Sequence, residues 1–226
     1  MLVSISQPTL FPWIGYFNII KQSDIFVFFD NVKFEKRSWQ MRNKLKLNSK
    51  ENESEISIKI PTTIEKSDIM IKDVKIDNTQ KWKIKHLKTF NSNYGKSFDE
   101  INFLKEHYEK DWNFISDFNI EFIKKCSEYL GIKTKFVKSS ELKTHGKKSF
   151  LLLDICKQLG ATDYLTSIGA IDYLEKDKKT FEESNIKIRY HEYIHPIYKQ
   201  KGNKFLEKLS VLDLIFNEKD NSKKYI

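Results

Sequence analysis

Lys33, Lys36, Arg37 and Arg42 lie close together in the chain, with Trp39 among them and Asn43 just beyond. Ammonium and guanidinium groups at this density suit an anion, above all a phosphate or pyrophosphate, through charge-assisted hydrogen bonds. Just upstream, Asp30 follows the apolar run Ile25 to Phe29. A carboxylate there can hold an amino group and later accept its proton. Further upstream stand Gln7, Pro8, Trp13 and Tyr16, and the two rings suit a slot for a planar base. His86 and His191 are histidines able to move a proton near neutral pH, and Ser167 with Gly169 marks a second small-residue loop. Each group also has a plain structural reading. Trp13, Tyr16 and Phe17 suit a core, Asp30 a turn, the cations a solvated face, and His86 a packed interface.

The elements that would position these groups follow from the apolar pattern. Leu2 to Ser6 and Ile25 to Phe29 are short runs that suit buried strands. Pro8 and Pro12 each fix φ and remove a donor, which predicts an irregular loop between them. Ile14 to Gln22 carries apolar residues at helical spacing. Strand, loop, helix, strand is the resulting order, and Gln7 and Asp30 then lie beyond the carboxyl ends of two strands. In an open α/β sheet the ligand crevice lies outside those ends.

Further along, Lys44 to Ile60 predicts a hairpin around the polar turn Asn48 to Ser54, projecting as an insertion. Met70 to Ile76 reads as a strand. Thr79 to Asn91 reads as a helix with Trp82, His86 and Phe90 on one face. Helices are expected over Phe98 to Lys105, Asn113 to Leu130 and Lys147 to Leu159. Strands are expected over Lys135 to Lys138, Ala161 to Thr166 and Ile186 to Tyr190. Ser167 to Ala170 follows a strand of parallel type, and small residues before a helix can present amides to an anion. No GxxxxGK[ST], GxGxxG or HExxH occurs. His191 and His195 have helical spacing, but Pro196 and the intervening EYI oppose a helix, so no metal site is assigned. Ser210 to Asp213 reads as an N-cap and first turn, with Asp213 a dipole partner. The expectation is an α/β fold, a mostly parallel sheet flanked by helices with a hairpin insertion, over 1–217. A polar, frayed tail follows over 218–226.

Hydrophobic residues make up 39% and aromatic residues 14%, enough for a real core, and the net charge of +9 favours anionic partners. Cys126 and Cys156 sit inside expected helices without a CxxC, which fits buried thiols and neither zinc nor a disulfide framework. No signal peptide or apolar run of membrane-spanning length is recognised, so a cytoplasmic location is expected.

Three blocks carry a family likeness. They are Gln-Pro-x-x-x-Pro-Trp-x-Gly-Tyr-Phe from Gln7, Ser-Asp-x-Phe-Val-x-x-Asp ending at Asp30, and Phe-x-Lys-Arg-Ser-Trp-Gln-x-Arg-Asn ending at Asn43. Together with Trp82, His86, Tyr94, the stretch Ser149 to Tyr173 and the stretch His195 to Phe216, the chain resembles the WbqC-like family over nearly its whole length. The family block commonly begins His-Gln-Pro, where this chain has Ser6-Gln7-Pro8. The resemblance implies a transferase of bacterial surface polysaccharide, notably O-antigen, assembly. Its implied reaction acylates the amine of a nucleotide-linked amino sugar, with an amino acid such as glycine. Read so, the partner is an anionic small molecule, a nucleotide-sugar. Asp30, His86 and His191 are then candidate bases, Asp30 first. Gln7, Pro8, Trp13, Tyr16, Lys33, Lys36, Arg37, Trp39, Arg42, Asn43, Ser167 and Gly169 are candidate binding residues. The donor stays open among adenylate, thioester and aminoacyl-tRNA, and no cofactor is assigned. The competing classes are a nucleic-acid-binding module, for which no motif is found, and a non-catalytic partner of a sugar-modifying enzyme.

Overall fold

The computed structural model describes residues 1–47, 54–64 and 66–226. The strands are β1 (Leu2–Ser6), β2 (Ile25–Phe28), β3 (Arg42–Lys46), β4 (Glu55–Lys59), β5 (Thr62–Thr63), β6 (Lys75–Ile76), β7 (Lys135–Lys138), β8 (Asp163–Ser167) and β9 (Lys187–His191). The helices are α1 (Ile14–Gln22), α2 (Trp82–Tyr94), α3 (Asn102–Glu109), α4 (Ile115–Tyr129), α5 (Ser149–Gln158), α6 (Ile171–Leu174), α7 (Lys178–Glu183) and α8 (Val211–Glu218). The main sheet is five-stranded, all parallel, in the order β7-β2-β1-β8-β9. Taken in chain order, its strands run third, second, first, fourth, fifth. The order reverses between β1 and β8, which is the switch point where α/β sheets open a ligand crevice.

Burial on both faces explains why β2 reads as a continuous apolar run. Val3, Ile5, Ile25 and Val27 belong to one core with Leu152, Ile155 and Cys156 of α5 and Phe181 of α7. Phe26 and Phe28 belong to a larger core with Phe17 and Ile20 of α1, Phe118 and Phe122 of α4 and most of α8. The strand β1 belongs between its two neighbours, since Val3 pairs with both Ile25 and Tyr164.

Several elements differ from the sequence reading. The hairpin forms, with Arg42 opposite Lys59 and Lys46 opposite Glu55, while residues 48–53 of its turn lie outside the described residues. It does not project: Leu45, Ile58 and the following Ile60 are fully or almost fully buried in the larger core. Met70 to Ile76 is not a strand but a 3-10 turn over Ile71–Asp73 and the two-residue β6. The helix α2 begins at Trp82 because Asp77 organises its own turn, accepting from Thr79 Oγ1 at 2.5 Å and Gln80 Nε2 at 2.8 Å. Phe98 lies in a 3-10 run, and α3 starts beyond it. The last residues are docked and not frayed. Lys219–Tyr225 form a 3-10 run, and Lys21 Nζ donates to the Ile226 carbonyl at 2.6 Å. Both cysteines are buried and free. No helix among the described residues is long and apolar enough to cross a membrane.

Candidate functional site

The loop after β1 is held by its carbonyls. Tyr16 Oη donates to Gln7 O at 3.0 Å, and Asn119 Nδ2 to Pro8 O at 3.1 Å. Asn43 Nδ2 reaches both Leu10 O and Phe11 O at 2.8 Å, and Val211 N donates to Pro12 O at 2.8 Å. Gln40 Nε2 fixes the Gln7 side chain at 2.6 Å through Gln7 Oε1. Phe11 takes a left-handed φ of 43° without being glycine. The buried ring sits edge-on to Phe122 and Phe118, at 4.7 and 5.7 Å, and that packing offsets the backbone cost.

Two cavities open against this loop, and both are bordered by Ser6 and Thr9. The first, about 280 Å³, is walled by Pro12, Trp13, Tyr16 and Trp39, with Asn43 and Lys208 at its edge. Trp13 lies edge-on to Tyr193 at 5.2 Å and is stacked with His195 at 6.3 Å. The second, about 460 Å³, lies between the ends of β1 and β8, where Gln7, Ser167, Ala170 and Tyr173 face Lys148 and the first turn of α5. Gln7 borders this cavity together with Ser167 and Ala170, but Asp30, expected at the same carboxyl edge as Gln7, does not. Gly169 does not line the cavity, and a Cβ there would meet only Ser167 Oγ, at 4.0 Å, so the position makes no steric demand for glycine.

The candidate residues separate into groups. Trp13, Tyr16, Trp39 and Asn43 meet in the first cavity, although the Asn43 amide is committed to bracing the loop. Arg42 comes near only through Trp39, its guanidinium 5.9 Å from that ring. Lys33, Lys36 and Arg37 are exposed and line neither cavity. Pro8 is buried and contributes its carbonyl to the bracing.

The three candidate bases are all turned to other partners. Asp30 is buried, and its Oδ1 accepts from Ser140 N at 2.9 Å and Ser139 Oγ at 3.0 Å, its Oδ2 from Ser140 Oγ at 2.7 Å. It clasps the end of β2 to the turn after β7 and lines neither cavity. His86 Nε2 faces the Lys59 carbonyl at 2.9 Å and must donate to it, so Nδ1 accepts from Tyr108 Oη at 2.7 Å. Burial pushes this imidazole down to about 4, which keeps it neutral. His191 is paired in register with Ser167, but its Nε2 donates to Asn18 Oδ1 at 2.7 Å, and burial lowers its pKa. His191 and His195 lie on no helix, and among the described residues no three metal-ligating side chains gather in one place.

Sequence reasoning missed Lys148 and Lys208. Both have left-handed backbones, φ 55° and 60°, and each lines one of the two cavities. Among 40 basic residues no type or spacing marks these two. It also missed Asn119 and Gln40, whose amides act on a loop far away in the chain.

A three-two-one-four-five parallel sheet with a braced loop and cavities at its switch point defines an α/β protein with a carboxyl-edge crevice. The chain belongs to the WbqC-like protein family, whose model matches residues 7–225. It is similar to the uncharacterized protein Rv1507c of Mycobacterium tuberculosis strain H37Rv, with 29% identity over 220 residues, 95% of this chain and 93% of that protein. No solved structure matches the chain.

Gly15 shows how closely the crevice wall is packed. A Cβ on it would come within 2.3 Å of the Trp13 ring. Alanine normally favours a helix over glycine by about 1 kcal/mol. Here Gly15→Ala should instead destabilise by about 1–3 kcal/mol, the usual cost of overpacking, and shift the tryptophan emission. Urea titration followed by fluorescence checks this; an unchanged spectrum with a gain in stability would show the indole free to move.

Proposed function

We propose that the protein is a transferase of bacterial surface polysaccharide assembly, of the O-antigen kind. It binds a nucleotide-linked amino sugar in the crevice and acylates its amine, with an amino acid such as glycine as the acyl group. In that reaction the amine nitrogen attacks the carbonyl of an activated acyl donor, the new C–N bond replaces the bond to the leaving group, and the nitrogen gives up a proton. The observation that carries the reading is the lining of the two switch-point cavities. Aromatic rings, hydroxyls and two lysines line them, and among the described residues no carboxylate does. That set suits an anionic ligand with a planar ring. Family membership supports the same reading.

A second reading, a nucleotide-sugar-binding partner of a separate enzyme, is favoured by one observation. Asp30, His86 and His191 are engaged away from both cavities. Calorimetry with a UDP-linked amino sugar tests what the readings share. Binding is expected, and Trp39→Ala should weaken it about tenfold, within the range of lost base stacking. Turnover of the amine in the presence of an activated glycyl donor would then select the transferase. Binding to single-stranded RNA with a steep salt dependence, and no response to the nucleotide-sugar, would overturn both.

A further inference from the structure

The two cavities share Ser6 and Thr9 but differ in chemistry. We propose that the aromatic cavity takes the nucleobase and that the hydroxyl-lined cavity takes the phosphates and sugar, with Lys148 as the phosphate anchor. This assignment rests on the nucleotide-sugar reading above. The first cavity is narrow and presents the flat faces and edges of Trp13, Tyr16 and Trp39, which suits a ring. The second is larger and, against an apolar wall that includes Phe29 and Leu151, presents Ser6, Thr9, Gln7 and Ser167, which suits a ligand with many oxygens. A nucleoside diphosphate crossing from one to the other passes Ser6 and Thr9 at the end of β1.

Among the described residues, Lys148 is the one cation in the second lining. It adopts φ 55° and ψ −131°, a region open to glycine and costly for any residue with a Cβ. The next residue begins α5, and Leu151 and Leu152 of that helix share the wall. Their amides donate to the Lys148 carbonyl, at 3.2 and 3.3 Å, and tie the residue to the helix. An anion held by Lys148 also meets the positive end of the helix dipole. The dense cluster Lys33, Lys36 and Arg37, the obvious anion site in the sequence, lines neither cavity.

The strained backbone supplies a clean test. Lys148→Gly removes the ammonium and relieves the conformation together, so thermal stability should be unchanged or higher. Calorimetry with inorganic pyrophosphate and UDP-N-acetylglucosamine should show affinity for both falling about tenfold or more, the scale of one lost charge-assisted hydrogen bond. Uridine binding, followed by tryptophan quenching, should stay within about twofold. Trp39→Ala should give the reverse pattern, weakening uridine and sparing pyrophosphate. The anchor is overturned if Lys148→Gly binds pyrophosphate like the parent, or if Lys33→Ala and Lys36→Ala cause the loss instead. Lys148-dependent binding of pyrophosphate without binding of the nucleotide-sugar keeps the anion site and removes the ligand proposed for it. Parent-like binding of UDP-N-acetylglucosamine by Lys148→Gly does the opposite, and a parent protein that binds none of the three probes overturns both.

Discussion

Asp213→Leu should destabilise the fold by about 3 kcal/mol or more, the scale for breaking a buried charged network by removing one partner. Asp213 is fully buried in the first turn of α8. Its Oδ1 accepts from Tyr94 Oη at 2.5 Å and its Oδ2 from Tyr198 Oη at 2.7 Å. Burial raises its pKa, and the two phenols and the Lys46 ammonium pull the other way. Gln200 extends the network, donating to Tyr198 Oη at 3.0 Å, while Lys46 Nζ donates to the Lys204 carbonyl. Leucine fills a similar volume but leaves the two phenols without their acceptor and removes the negative charge near the buried Lys46 ammonium. Asp213→Asn keeps an acceptor on one side and should cost about half as much. Guanidinium denaturation of the three proteins measures both steps; a leucine variant within about 1 kcal/mol of the parent would show that water reaches the network.

The role of Asp213 marks a limit of what the sequence can tell. An N-cap serine and an acid in the first turn were legible, because capping is local. The tyrosines lie 119 and 15 residues away, and nothing local links them to the carboxylate. The same division holds elsewhere. The run Ile25–Phe28 was legible as a strand because both faces of the sheet are covered there, which leaves a short apolar run in the sequence. The stripe of Trp82, His86 and Phe90 was legible from helical spacing, but the bond from His86 to the Lys59 carbonyl was not. At the site, the loop aromatics were legible as a cluster. The cation of the second cavity was not, since only its backbone conformation distinguishes Lys148, and that conformation is set by what surrounds it.

Mild acid should destabilise the protein, and His107 should be a main cause. His107 is buried among Trp112, Phe118 and Phe122, at 4.8, 4.2 and 5.9 Å between ring centres. Among the described residues neither ring nitrogen has a hydrogen-bond partner. Burial first, then the nearby Lys110 and Lys83, push its pKa down to about 3, and burial holds His86 near 4. Both values lie below the ordinary 6.5, so the unfolded chain takes up protons that the folded chain refuses. Stability is therefore full above pH 6.5 and falls as the pH drops toward 4, by about 1.4 kcal/mol per pH unit for each group. Asp213, with a raised pKa, works in the opposite sense and moderates the slope. His107→Phe removes one histidine and two unpaired buried nitrogens. It should gain roughly 1–2 kcal/mol at pH 7, and its lead over the parent should widen by about 2 kcal/mol at pH 5. Urea midpoints at the two pH values decide it; a constant difference would mean that His107 does not titrate with folding.

The clasp at Asp30 also bears on how the chain reaches its native state. Its bonds to Ser139 join residues 109 apart, because the hairpin, α2, α3 and α4 all intervene between β2 and β7. Closing so long a loop adds little to the equilibrium cost, about 0.6 kcal/mol for each doubling of length. It weighs more on the rate, since distant pairings must wait for the intervening chain to become compact. The pairing of β1 with β2, linked only by the first loop and α1, can form early. The seam between β2 and β7 must follow the collapse of that long excursion, and with it the bracing of the β1 loop by Asn119 of α4. Until then the aromatic slot has no fixed floor, so the binding proposed for it should arise late in refolding, after most helical signal has returned.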